Sequence, residues 1–148
     1  MPAKAVIVCL ASSLAVLVGC DLIGPQLQFS HAATMLQCGP ADEPYTRIVL
    51  ASEPVTSTEA AYPNVHVVIW QSVREIASHT FSVTRNVGAG AWYVTGPNKV
   101  ESALSGSVTV TSVDSTDTVE GSLALRFPSR VVETPFTAPW INNGMLCN

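Results

Sequence analysis

Charged side chains are scarce in this sequence: seven Lys and Arg and eleven Asp and Glu in 148 residues, scattered rather than clustered. A nucleic-acid partner needs a basic footprint, and a net charge of −4 supplies none. The motifs of familiar catalysis are missing too: there is no G-x-S-x-G, H-E-x-x-H, P-loop or S-x-x-K, so the chemistry those patterns carry is not indicated. Internal repeats of fixed period and low-complexity segments are absent. A spanning helix needs roughly 20 apolar residues. Ala5 to Val18 offers 14 uncharged ones, with Asp21 and Pro25 close behind.

That short run is nevertheless informative. Lys4 and the amino terminus supply a positive start, the run supplies an apolar middle, and small residues follow, the three-part form of a secretory signal. At its end stand Leu17, Val18, Gly19 and Cys20. This tetrapeptide resembles the lipobox of bacterial lipoproteins in all four places. The resemblance implies a helical signal peptide over 1–19 that is cleaved, diacylglycerol on the Cys20 thiol, acylation (palmitate or a similar chain) of the new amino group, and an extracytoplasmic protein held at a membrane by lipid. Asp21 resembles an inner-membrane retention signal of enterobacteria, a rule other lineages do not share, so inner or outer membrane stays open. An uncleaved anchor and an ordinary secretory signal, with Cys20 a plain thiol, are the alternatives. Without Lys4 the remaining chain carries −5, which disfavours electrostatic attachment to an anionic bilayer and leaves anchoring to the lipid.

Four cysteines are present. Cys9 leaves with the signal and Cys20 takes the lipid. Cys38 and Cys147 remain, and in an exported protein a disulfide between them is the economical reading. Two free thiols are the alternative, though no CxxC and no adjacent Lys, Arg or His activates either one.

Residues 20–37 read as the lipidated Cys and a tether, with a short helical turn around Ala32–Leu36; a first strand at Leu27–Phe29 is the alternative. From there, 38–148 reads as one domain rich in Val, Thr and Ser, a composition that favours strands. Val65–Trp70 (VHVVIW) puts Val65, Val67 and Ile69 on one face and His66, Val68 and Trp70 on the other. Gln71–Ala77 is taken as a loop rather than a helix. Gly88-Ala89-Gly90 is taken as a hairpin turn, since it lacks the third glycine of a dinucleotide loop. Gly106–Ser112 and Thr118–Phe127 alternate around an Asp114–Asp117 tip and predict an antiparallel pair with one wet face. Pro135 and Pro139 mark the last run as an edge strand. The fold class is therefore all-β: one antiparallel β-sandwich of about seven strands, with a small barrel as the alternative.

Candidate site residues are few. His31, His66 and His79 do not form the three- or four-ligand set that a metal needs. Asp114 and Asp117 fall short of the 6–8 oxygens of a calcium site and read as a soluble tip. Glu120 and Glu133 are predicted on wet faces, where nothing raises a carboxyl pKa for acid catalysis. No catalytic residue, metal or cofactor is predicted. Trp70, Trp92, Tyr93 and Trp140, with Tyr62, are the aromatics available to a ligand platform. At least two of the tryptophans are expected in the core, where aromatics dominate burial; two exposed side by side would indicate a partner.

The body also resembles the small β-sandwich lipoproteins of unknown function of bacterial genomes, through Cys38-Gly39, the Gly-Ser-Leu-x-Leu-x-Phe strand at Gly121–Phe127, and Phe-x-Ala-Pro-Trp at Phe136–Trp140. That likeness transfers no catalytic residue. The functional expectation is a non-enzymatic, membrane-anchored module of the cell envelope that makes structural or protein contacts. Alternatives are a carbohydrate- or small-ligand-binding sandwich and a hydrolase with an unrecognised site.

Overall fold

The structure is a computed structural model that describes residues 29–56, 59–84 and 87–147, the side chain of Val87 excepted. The signal segment, Cys20 and the first part of the expected tether lie outside the described residues. Nine strands form: β1 (His31–Cys38), β2 (Pro44–Ala51), β3 (Asn64–Ile69), β4 (His79–Thr84), β5 (Val87–Gly96), β6 (Lys99–Ser102), β7 (Ser105–Val113), β8 (Val119–Arg126) and β9 (Val131–Ala138). Among the described residues the only helical piece is a single 3-10 turn at Val73–Glu75, and no helix is long and apolar enough to cross a membrane.

All strand-to-strand ladders are antiparallel, and the order along the sheet is β1-β2-β3-β5-β4-β7-β8-β9, with β6 on β5. The ladder between β4 and β5 holds only two residue pairs, Val83 with Gly88 and Thr84 with Val87. The sheet folds over at that narrow join. One layer is β1-β2-β3-β5-β6 and the other β4-β7-β8-β9. Between them lies the core, built from the alternate positions the sequence pattern selects: Val65, Val67 and Ile69 of β3 and Ala91 and Tyr93 of β5 face Val108 and Val110 of β7, Leu123 and Leu125 of β8, and Phe136 of β9. The β7–β8 hairpin and the inward row Val119, Leu123, Leu125 and Phe127 match the sequence expectation, as does the loop after β3.

The far edges also meet. Thr34 of β1 forms a parallel bridge with Trp140. Its N–H donates to Pro139 O at 2.8 Å, and its carbonyl accepts from Ile141 N–H at 2.7 Å. Its hydroxyl donates to Ala138 O at 2.9 Å. The molecule is therefore all-β, with the packed layers of a sandwich and the nearly closed edge of a barrel. Near that edge Cys38 and Cys147 form a disulfide with Cα atoms 5.5 Å apart, and the Asn143 side chain donates to Leu36 O at 2.7 Å.

Three sequence expectations are corrected. Residues 31–37 are neither tether nor helical turn: β1 pairs along its whole length with β2, from His31–Ala51 to Cys38–Pro44. The folded body thus includes residues before Cys38. Gly88-Ala89-Gly90 is not a turn but part of β5, with Ala89 buried. Gly88 takes φ +75°, a conformation glycine adopts without steric cost, with Ser82 O beside it. Finally, β1 and β6 raise the strand count from about seven to nine.

Replacing both cysteines, Cys38→Ala with Cys147→Ala, should lower unfolding free energy by about 2–5 kcal/mol, because the bond closes a long loop in the unfolded chain; urea titration of the oxidised and double-mutant proteins reads this directly. Thr34→Val keeps the shape but removes the hydroxyl bond to Ala138 O, and should cost about 1–2 kcal/mol in the same assay.

Candidate ligand groove

The outer face of the first layer divides into a covered half and an open half. Strand register sets the layout. Successive residues on one face are about 7 Å apart along a strand, and neighbouring strands about 4.8 Å apart. One row across the face runs Ala33, Val49, His66, Trp92, Ser102; the next runs Met35, Arg47, Val68, Gly90. Beyond it Gln37 pairs with Tyr45.

The covered half holds a small second core. Ala33, Met35, Val49 and Ala51 are buried under Val55 of the β2–β3 loop, with Ala60 and Ile141 packed against them. Buried Asn64 pins this loop by donating to Ala60 O at 3.0 Å and Ala61 O at 3.2 Å. No described residue of this loop lines the neighbouring groove. The rest of the face stays open as a groove of about 660 Å³, with Val68 and Val94 in its apolar floor and Tyr45, Trp70 and Trp92 among its lining residues. Val100 of β6 and Cys38, Gly39 and Pro40 line it as well.

Trp92 stands on β5, and Trp70 follows directly after β3. The tip of the Trp92 indole reaches back over Gly90, where even a Cβ would stand 2.8 Å from it. Gly90 therefore gives the indole room to lie along the strand. Trp70 meets Tyr45 edge-on, with centroids 5.1 Å apart. By register the two indoles flank the Val68 position. The Tyr45 hydroxyl donates to the Glu43 carboxylate, which also accepts Ala41 N–H at 2.9 Å. That bond raises the Tyr45 phenol above its ordinary pKa and holds Glu43 below the usual carboxylate range.

Arg47 and His66 supply a polar pair at the border with the covered half. The Arg47 guanidinium lies 2.6 and 3.2 Å from His66 Nδ1 through two of its nitrogens. A guanidinium has no acceptor, so Nδ1 must be the unprotonated nitrogen and Nε2 must carry the hydrogen. Burial, and after it the Arg47 charge, lower the His66 pKa to about 4. Burial also lowers the pKa of Arg47. His66 is thus a neutral donor near pH 7.

The other sequence candidates lie elsewhere. Contrary to the expectation that at least two tryptophans fill the core, none of the three does: Trp70 is 39 % exposed, and Trp92 and Trp140 are half-buried. The inner positions of β3 and β5 belong to Val, Ile, Ala and Tyr, so Trp70 and Trp92 fall on the opposite face. Tyr93 is the aromatic that goes inside, packed on Phe127, with Arg130 4.4 Å from its ring centre; it is no platform residue. Trp140 sits at the closing bridge and Tyr62 in the β2–β3 loop, outside the groove lining. His31 and His79 are exposed, and His79 Nδ1 donates to Ala77 O at 2.7 Å. The Asp114 carboxylate accepts Thr116 N–H, Thr116 O–H and Thr118 N–H, bonds that lower its pKa. Asp117 pairs with Arg74 at 3.2 Å. Among the described residues no three His, Cys, Asp or Glu side chains converge as a metal site. Glu120 lies opposite Thr137 and Glu133 opposite Ala124, four positions out of step and about 13 Å apart along the strands.

Sequence reasoning missed Tyr45, Arg47 and Gly90. The readable signal was Gly90-x-Trp92: a glycine two residues before a tryptophan in a strand leaves a space that the indole can cover.

No family model, curated protein or solved structure matches the chain.

The depressed His66 pKa makes stability depend on pH with a defined sign. Between about pH 6.5 and about pH 4 the unfolded chain binds a proton at this residue and the folded chain does not, so stability falls as pH is lowered through that window. His66→Gln should flatten that part of the profile; urea midpoints at about pH 7, 6, 5 and 4 in both proteins check it.

Proposed function

We propose that the protein is a non-catalytic binding module of a bacterial cell envelope, held at the membrane by lipid on Cys20, that takes its ligand in the groove of the first layer. The observation carrying this reading is the placement of Trp70, Trp92 and Tyr45 along a part of the outer face that the described residues of the β2–β3 loop leave uncovered. An apolar concavity with a few convergent polar groups is the usual form of a small-ligand site. The sequence favoured contacts with another envelope protein; the groove moves the weight to a ligand held by aromatic rings. Among the described residues lining it there is no Ser, Thr, Asp or Glu to act as nucleophile or acid, which supports binding over hydrolysis.

The disulfide supports an oxidising, extracytoplasmic compartment. Anchorage rests on the Leu17–Cys20 tetrapeptide, since two acyl chains suffice for stable attachment. Eleven positions separate Cys20 from the start of β1, so the anchor would lie at most about 40 Å away along the chain.

One experiment addresses both parts. The protein expressed in a bacterial host should incorporate an alkyne-labelled fatty acid and partition with the membranes, and Cys20→Ser should lose both properties. Addition of solubilised envelope glycan or protein fractions should then shift the indole N–H resonances of Trp70 and Trp92 and leave Trp140 unmoved. Unlabelled wild-type protein would remove the anchor, and fractions that shift no groove tryptophan would remove the binding reading.

A further inference from the structure

The hydrogen-bonding inventory around the groove narrows what it can hold. His66 offers a donor, because Arg47 occupies Nδ1 and the hydrogen is on Nε2. The Tyr45 hydroxyl spends its hydrogen on Glu43 and is left with acceptor lone pairs. The Gln37 amide has both a donor and an acceptor end. Donors and acceptors thus lie on the margins of an apolar floor, with two indoles flanking Val68.

Each simple ligand class meets this set differently. A proline-rich peptide presents mainly carbonyl acceptors, and it would cover the Tyr45 and Gln37 acceptors without pairing them. A group covered and unpaired costs as much as a good bond gains. An anion would suit the Arg47 charge and the His66 donor, but, acceptor-only as well, it would leave the Tyr45 and Gln37 acceptors covered and unpaired. A cation would lie beside the Arg47 charge in a lining that contains no Asp or Glu. A pyranose ring satisfies every element. Its hydroxyls both donate and accept, and its C–H face is apolar and flat enough to lie on an indole. The groove's volume of about 660 Å³ accommodates more than one such ring.

Resting on the groove as the binding site, we infer that its ligand is a neutral saccharide, with one sugar ring seated on Val68 between Trp70 and Trp92. Gly90 is the positioning residue. It touches no ligand, but its missing side chain lets the Trp92 indole lie back toward that ring.

The test uses the full chain, uniformly ¹⁵N-labelled, titrated separately with three probes: neutral oligosaccharides (the tetramers of glucose in β-1,4 and α-1,4 linkage and of N-acetylglucosamine in β-1,4 linkage), a proline octapeptide, and inorganic phosphate. At least one oligosaccharide should shift the Trp70 and Trp92 indole signals, with Trp140 unchanged. Gly90→Ala should displace the Trp92 signal in the free protein and weaken that oligosaccharide at least about tenfold. Trp92→Ala should weaken it by as much or more. Thermal midpoints of both variants, measured alongside, report whether the fold is kept, and Trp70→Ala serves if either fails to fold. Shifts from the peptide or phosphate alone would overturn the saccharide assignment while leaving the groove a binding site. Silence from all three probes at groove resonances would overturn both. A saccharide that binds Gly90→Ala as well as wild type would overturn the role of Gly90.

Discussion

The arrangement depends on one backbone contact, the meeting of Thr34 with residues 138–141. Two main-chain hydrogen bonds and one hydroxyl bond turn a nine-stranded sheet with two free edges into a nearly closed one. Free strand edges present unpaired N–H and C=O groups to any other chain, and closure removes much of that liability. It also has a reach beyond the edge. With β1 fastened, Ile141 packs against the second core on the outer face, and Gln37 and Cys38 come to stand at one side of the groove. A single buried threonine thus links closure, cover and groove wall.

The groove itself arises from incomplete cover. A strand within a layer shows a face to each side, and β3 carries apolar residues on both: Val65, Val67 and Ile69 inward, and Val68 outward beside Asn64 and His66. The outward face requires something over it. On one half the β2–β3 loop, pinned by Asn64, provides Val55 and Ala60. On the other half, among the described residues, side chains of the face itself serve as cover, with Trp92 lying over Gly90 and Trp70 leaning on Tyr45. Half-exposed indoles are what remains when a sheet face is partly apolar and no described loop lies across it. Arg47 and His66 sit where covered and open halves meet, buried enough for His66 to stay neutral.

Much of the fold was legible where the chain alternates with period two. β7 and β8 were readable almost residue by residue, because Val, Leu and Phe alternate there with Ser, Thr, Glu and Arg. The two faces of VHVVIW were readable for the same reason, and with them the common face of His66 and Trp70. β1 was hidden because Ala, Met, Leu and Gln are helix formers; its state is imposed by β2 on one side and Pro139–Ile141 on the other, partners 6 to more than 100 positions away. Gly88-Ala89-Gly90 misled because glycine commonly marks turns, whereas here Gly88 supplies a positive φ within a strand and Gly90 a space for an indole. The tryptophans were misjudged on residue type alone. Register, not hydrophobicity, decided their side of the sheet. Cys38 and Cys147 needed no pattern at all, only the compartment that Leu17–Cys20 implied.

The position of the disulfide also fixes how the body bears load. Pulled between residue 31 and residue 147, the chain would first peel β1 from β2, as a zip opens from its end. At Cys38 the tension crosses into Cys147 through a covalent bond, and the 109 positions between them carry none of it. About 390 Å of contour length is thereby kept out of the path. Under such a load β2 to β9 and the core between the two layers stand outside the line of force.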